Sequence, residues 1–356
     1  MSVFLFHSFH TDYSSISSTS FYHFVKHELF GNGNLGVNLF FVLSGFLITY
    51  LLIEEKKMNG QIHVRNFWIR RILRIWPLFY LCVLFGFYAF PLLKTAFGQV
   101  PNETASLLHY LVFANNFDLI SKGSPDASVL GALWSVAIEE QFYLFWPILL
   151  YLLPVKKQIW LFIAIVIGSM VYRAYFDSGL LRELHTFSCI GDMAMGAIGA
   201  WLMQERKDVK FKIENMNKSS ILLIYILFFI AYFFRKQIFF ELYFTRIIER
   251  PLIATFILLI ILEQTYARQS FFKMHKLQRI TQLGKITYGL YCLHFIGILI
   301  ATTLTEQLGF NTTLWQVILL ETTLALSFTV LISSVSYKFF ETPFLRMKDK
   351  FAFITR

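Results

Sequence analysis

Charge is scarce in this chain: Asp, Glu, Lys and Arg make up 15% of its 356 residues, while 56% are hydrophobic and 18% aromatic, for a mean hydropathy of +0.57. That scarcity excludes an ordinary soluble domain, in which about 25% of residues are charged. Cysteine is scarcer still, at three residues. Cys82, Cys189 and Cys292 all fall inside apolar runs with no C-x-x-C or other metal spacing, which excludes a disulfide framework and a zinc site, so they read as small apolar packing residues. Acidic residues are outnumbered, 22 against 32 Lys and Arg, for a net charge of +10. A nucleic-acid partner would need a basic face on a soluble fold, whereas the basic residues here fall in short loops between apolar spans. An internal repeat, a soluble second domain and a signal peptide are not expected within this sequence, since no repeat is visible and a basic n-region, a longer apolar core and a small-residue cleavage site are not seen before His7.

What the chain does contain is apolar runs of the length that crosses a bilayer, about 20 residues. They lie near 36–53, 75–92, 130–153, 159–175, 187–203, 219–234, 251–266, 283–304 and 314–338, about nine in all. The fold class is therefore all-α: a polytopic transmembrane helical bundle forming a single membrane domain over 1–356. Lys and Arg collect in the loops 54–74, 154–158, 204–218 and 267–279 and in the tail 339–356, alternating as cytoplasmic loops do, which makes the C-terminus cytoplasmic. The loop 235–250 breaks the pattern with Arg235, Lys236, Arg246 and Arg250 on the expected outer side, accompanied by Glu241 and Glu249. The apolar piece 109–117 is too short to span and reads as re-entrant or interfacial, and the Ser- and Gly-bearing stretch 11–35 reads as an exposed outer loop. Residues 1–10, with only Val3 to Phe6 apolar before His7, read as the remnant of a truncated first transmembrane helix.

Three arginines stand out between the first two spans. On a helix Arg70, Arg71 and Arg74 lie within about one turn, where three guanidinium groups converge on a phosphate or pyrophosphate at the cytoplasmic surface; the alternative is a positive-inside anchor against lipid headgroups. Glu139 and Glu140 lie inside an apolar run, where carboxylates are costly and are candidates for general-base chemistry; the alternative is a buried ion pair or hydrogen bond. Adjacent residues point about 100° apart on a helix, so one of the two faces a cavity. Asp192 is a further intramembrane carboxylate, and His294 lies mid-span with Tyr288 and Tyr291 at helical spacing, either catalytic or a histidine satisfied by a neighbour. An ion or proton path through Glu139, Glu140, Asp192 and His294 would make the chain a secondary transporter or channel, but the paired Gly/Pro interruptions and inverted repeats of such proteins are not found.

Four ordered motifs carry a resemblance. The first runs Gly36, Val37, Phe40, Phe41, Leu43, Ser44, Gly45, Phe46, Leu47, Ile48, Thr49, then Arg70, Arg71, Arg74, Ile75 and Pro77. The second is Trp134 and Ser135, followed by Glu139, Glu140, Gln141, Phe142, Tyr143, Leu144 and Pro147. The third runs from Gly284 through Tyr288 and Tyr291 to His294, and the fourth is Ser336 and Tyr337 with Phe340, Glu341 and Pro343. Together they resemble the acyltransferase 3 family of integral-membrane O-acyltransferases across most of the chain. The resemblance implies ten membrane helices and transfer of an acyl group, in first place acetyl, from acyl-coenzyme A to a hydroxyl of an extracytoplasmic glycan, lipid-linked glycan or related acceptor. It implies no bound cofactor, with acyl-coenzyme A as donor substrate held by Arg70, Arg71 and Arg74. It assigns His7, at the end of what resembles the family's first helix, as the base, with His10 as local competitor and Glu139 or Glu140 in support. Ser44, Trp134, Ser135, Tyr143, Asp192, Tyr291 and His294 are further site candidates. The basic residue that the family carries at the start of that helix would precede Met1, so an inactive truncated homologue or non-catalytic membrane partner stands as an alternative. Phe and Ile richness with Lys-rich loops suits a bacterial inner membrane.

Overall fold

In the core of a bilayer every backbone amide and carbonyl must find its partner within the protein, and a helix meets that demand residue by residue. The apolar runs accordingly fold as helices. A computed structural model describes residues 1–351, and among the described residues there are helices and no strand. Among the described residues six helices are long and apolar enough to cross a membrane: Leu35–Asn59, Val64–Ala96, Val155–Tyr175, Gly179–Glu205, Ile280–Gln307 and Gln316–Asp349. The pair Lys207–Glu214 and Lys218–Phe233, bent by 91° at its break, makes a seventh if counted as one span. The two remaining expected spans, 130–153 and 251–266, fold as the helices Trp134–Leu152 and Tyr243–Tyr266. Glu139 and Glu140 in one, and Arg246, Glu249 and Arg250 in the other, interrupt their apolar surface. Residues 352–356 of the expected tail and the side chain of Arg279 lie outside the described residues.

The first ten residues contain one short helix, Ser2–Phe6. The stretch 11–35 is more ordered than an open loop. It forms Ser14–Ser17, Ser20–His23 and a π-helical turn, Phe24–Leu29, and buries Ile16, Tyr22 and Val25 with Phe9, Val317 and Ile318. The Tyr22 hydroxyl and Lys26 Nζ both donate to the Phe9 carbonyl, at 2.7 and 3.0 Å, across a residue whose φ of 66° is unusual for a side chain of this size. The piece 109–117 contributes to two short helices, Leu107–Leu111 and Asn115–Lys122.

The chain divides into two compact units. Unit 1 comprises 1–36, 69–137 and 282–356; unit 2 comprises 37–68 and 138–281. The heart of unit 1 is the helix Thr287–Gln307 packed on Thr322–Val335, with the short helix Ser2–Phe6 against the former. Phe4 is buried there with Ile298, Ala301 and Ala325. In unit 2 the helices Leu35–Asn59 and Thr186–Glu205 meet almost backbone to backbone. A Cβ on Gly45 would stand 2.0 Å from the Met193 carbonyl oxygen, and one on Gly196 2.0 Å from that of Val42, so no side chain fits at either position. Polar fasteners complete the seam. Trp146 Nε1 donates to Thr49 Oγ1 at 2.8 Å, the Ser44 and Tyr143 hydroxyls bond each other, and Trp68 Nε1 donates to the Tyr143 carbonyl at 3.1 Å.

Candidate active site

The helix Val64–Leu84 brings Arg70, Arg71 and Arg74 into unit 1 within one turn of each other. Arg70 Nη1 donates to the Phe351 carbonyl at 2.7 Å, just past the final helix Thr342–Asp349. That helix adds a fourth cation: Lys348 lies within electrostatic reach of Arg70, Arg71 and Arg74. Glu341, in the π-helical turn Ser336–Glu341, accepts from Ser336 Oγ at 3.1 Å and lies within electrostatic reach of Arg74. Asp349 stands 4.0 Å from Lys348, so four cations face two carboxylates, and the excess leaves a local positive field suited to a multiply charged anion. Spacing could find the three arginines because they share a turn. It could not find Lys348, which folding brings there from the far end of the chain.

On the helix Thr287–Gln307, His294 is fully buried and packs against His7, with ring centroids 5.3 Å apart and the rings tilted by 34°. Phe295 packs on His7 at 4.6 Å and borders His294 at 4.4 Å. The Nδ1 atom of His294 lies 2.5 Å from the Tyr291 carbonyl. A carbonyl only accepts, so Nδ1 carries the proton and Nε2 presents a lone pair, the tautomer a base requires. Nε2 is buried and has no hydrogen-bond partner among the described residues. His10, the competitor to His7, lines a cavity of about 480 Å³ in unit 1 that Phe295 also borders.

Two further hydroxyls set the register of this helix. Tyr291 donates to the Ala132 carbonyl at 2.8 Å, so the 2.6 Å bond between Tyr291 and Ser135 is one that Ser135 donates. Tyr288 donates to the Ile75 carbonyl at 2.9 Å, beside Arg74 in sequence. His294 is six residues further along the same helix, about 9 Å along its axis from Tyr288. Trp134 is half-buried at the start of its helix.

Ser44, Glu139, Glu140, Tyr143 and Asp192 belong to unit 2. Glu139 and Glu140 are half-buried on Trp134–Leu152, and the next residue, Gln141, accepts from Thr186 Oγ1 at 2.5 Å. Ser44 and Tyr143 form the helix fastener described above. Asp192 has definite partners: Asn38 Nδ2 donates to it at 2.9 Å, and Arg250 does so through Nε and Nη2, each at 2.9 Å. Nearby, Glu249 receives Arg173 at 3.2 Å and Arg235 at 2.5 Å, and Arg246 pairs with Asp177 at 3.1 Å. The arginines that broke the charge pattern of 235–250 are thus held in ion pairs, and the glutamate among them was the signal. Arg173, buried in the same network, gave no signal beyond being a charge near the end of an apolar run.

The profile of the family described as "Acyltransferase domain", acyltransferase 3, matches residues 1–337. Among similar curated proteins, peptidoglycan O-acetyltransferase OatA of Listeria monocytogenes is 28% identical, over 90% of this chain and 54% of its own length. A Staphylococcus aureus protein with a provisional O-acetyltransferase name is 29% identical, over 91% of this chain and 54% of its own length. YrhL of Bacillus subtilis, provisionally named a peptidoglycan O-acetyltransferase, is 25% identical, over 87% of this chain and 50% of its own length. The chain spans about half the length of the curated relatives it matches. No solved structure matches it significantly.

Proposed function

Because this chain belongs to the acyltransferase 3 family, we propose that it is an integral-membrane enzyme that moves an acetyl group from acetyl-coenzyme A to a hydroxyl of an extracytoplasmic glycan. The names of its relatives support acetyl as the group and a glycan as the acceptor. In this reading the nine long helices are nine spans of one membrane domain, in a bacterial cytoplasmic membrane. The basic loops and the C-terminus face the cytoplasm.

The carrying observation is the histidine pair in unit 1, an imidazole lone pair buried beside a second imidazole, on the helix whose Tyr288 bonds the Ile75 carbonyl next to Arg74. The cluster of Arg70, Arg71, Arg74 and Lys348 binds the phosphates of the donor, and its pantetheine arm reaches along the helix toward His7 and His294. The acceptor hydroxyl attacks the thioester carbonyl while His7 takes its proton. A C–O bond forms, the C–S bond breaks, and the proton passes to the departing thiolate. His294, fixed in its tautomer by the Tyr291 carbonyl, orients His7 or relays the proton. Glu139 and Glu140, carboxylates in an apolar helix, have a catalytic role that Glu139→Gln and Glu140→Gln measure separately.

The test is transfer of labelled acetyl from acetyl-coenzyme A to glycan by the purified chain in nanodiscs. Wild type transfers, His7→Ala lowers kcat by about 10²-fold or more, and Arg71→Ala raises the donor KM. Neither binding nor turnover of acetyl-coenzyme A by wild type would sink the reading, and a His10→Ala loss larger than that of His7→Ala would move the base.

A further inference from the structure

The cavity of about 480 Å³ in unit 1 falls within the range of small-molecule sites, ~300–1,000 Å³, and most of its wall plays no part in the chemistry above. Glu306 and Glu321 line it together with Thr302, Asn311, Phe85 and Phe90, and Asp12 adds a third carboxylate. Among the described residues neither Lys nor Arg lines it. An anionic ligand would meet three carboxylates without a compensating cation, so the phosphates of the donor are disfavoured here. A neutral ligand rich in hydroxyls meets the wall well. Its O–H groups donate charge-assisted hydrogen bonds to carboxylates, and its apolar ring faces rest on phenylalanines.

Two details make this a shaped site. Thr305 Oγ1 donates to Glu321 Oε1 at 2.6 Å, which fixes one oxygen of a carboxylate that lines the cavity. Glu321 closes the π-helical turn Gln316–Glu321 and Phe85 opens another, Phe85–Ala89, so two wall residues come from widened turns of a kind often found at functional sites. The cavity also adjoins the proposed base. The Phe295 ring that borders it packs on His7 at 4.6 Å between centroids.

We propose that this cavity is the acceptor site and takes an uncharged, hydroxyl-rich saccharide unit, held by Glu321 and Glu306 with one hydroxyl turned toward the histidines. The proposal rests on the acyltransferase reading for its chemistry and on the cavity alone for its binding. Binding is measured with the full chain in nanodiscs by titration calorimetry, using chitotetraose as the neutral probe, tetragalacturonate as the anionic one and a chitosan tetramer as the cationic one. Chitotetraose is expected to bind at least tenfold more tightly than either charged probe, and Glu321→Gln and Glu306→Gln each to weaken it at least tenfold. Glu306 is exposed, so its substitution reports on the site even where the buried Glu321 variant fails to fold. Preferred binding of a charged probe, or wild-type affinity for chitotetraose in Glu306→Gln, overturns the proposal.

Kinetics separates this proposal from the reading beneath it. Glu306→Gln is expected to raise the acceptor KM at least tenfold while the donor KM moves less than twofold. Transfer with an unchanged acceptor KM removes the acceptor site and leaves the acyltransferase reading intact. Chitotetraose binding that depends on Glu306, in a chain that transfers nothing, does the reverse.

Discussion

Among the described residues of unit 2 each buried arginine meets a carboxylate. Arg173 and Arg235 share Glu249 and Arg250 clasps Asp192, while Arg246 at the margin takes Asp177. In unit 1 cations are in excess: Arg70, Arg71 and Arg74 gather with Lys348 around Glu341 and Asp349, and His7 packs on His294. Charges that cancel within the fold hold helices together and leave little for a ligand to do. Charges of one sign gathered at one place raise the energy of the empty protein, and a ligand of opposite sign lowers it. The contrast sorts the intramembrane charges by consequence. Asp192, which as an isolated carboxylate ranked beside Glu139 and Glu140, stands in the structure as one half of a buried ion pair.

Breaking a pair in unit 2 gives the largest expected loss of stability. Arg250→Ala strands Asp192 at 1% exposure, at a cost of about 3–5 kcal/mol, visible as loss of folded protein or a large drop in Tm in detergent. Removing both partners as Arg250→Met with Asp192→Asn recovers much of that loss, and equal loss in the single and double variants would contradict the pairing. Next comes the glycine seam. Gly45→Ala forces the helices Leu35–Asn59 and Thr186–Glu205 apart at about 1–3 kcal/mol, read from the same melts. In unit 1 the order of effects inverts: Arg74→Ala changes stability by less than about 1 kcal/mol yet raises the donor KM about tenfold. A large fall in Tm for Arg74→Ala would place that arginine with the structural ones.

The smallest effect is one of pH, outside the spans. The Asn102 amide at 3.0 Å and Lys94 Nζ at 2.7 Å hold the Asp126 carboxyl below its ordinary value of 3.8, although burial opposes them. A carboxyl lowered on folding stabilises the fold above its unfolded pKa, and that contribution is lost as pH falls through the folded value. Amide protection factors around 100–127, exchange rates corrected for the intrinsic pH dependence, are therefore expected to stay constant from pH 7 to about 5 and to fall below about 4. No change there would mean that Lys94 and Asp126 do not hold this segment.

Much of this was legible in the sequence, and the rest fails for identifiable reasons. The long apolar runs give their helices because length and apolarity are local properties, and the arginines are legible because Arg70, Arg71 and Arg74 share one turn. The helices Trp134–Leu152 and Tyr243–Tyr266 fall short on composition because Glu139, Glu140, Glu249 and Arg250 interrupt them, although the helices themselves form. The order in 11–35 escaped because helices of four to six residues carry little periodicity, and burial of Ile16, Tyr22 and Val25 depends on Val317 and Ile318 from the other end of the chain. The partners of Asp192, the approach of Lys348 to the arginines and the packing of His7 on His294 are likewise long-range, and no spacing rule reaches them.

The most direct test of the contrast between the units is coenzyme A binding by calorimetry to the full chain in nanodiscs, with the Arg71→Ala/Arg74→Ala double variant beside Arg206→Ala, an exposed arginine paired with Asp208 at 2.8 Å. The account predicts a loss of about 100-fold or more for the double variant, some 2.7 kcal/mol, and an unchanged affinity for Arg206→Ala. Equal affinity in wild type and the double variant would contradict it and leave the arginines of unit 1 as a membrane anchor.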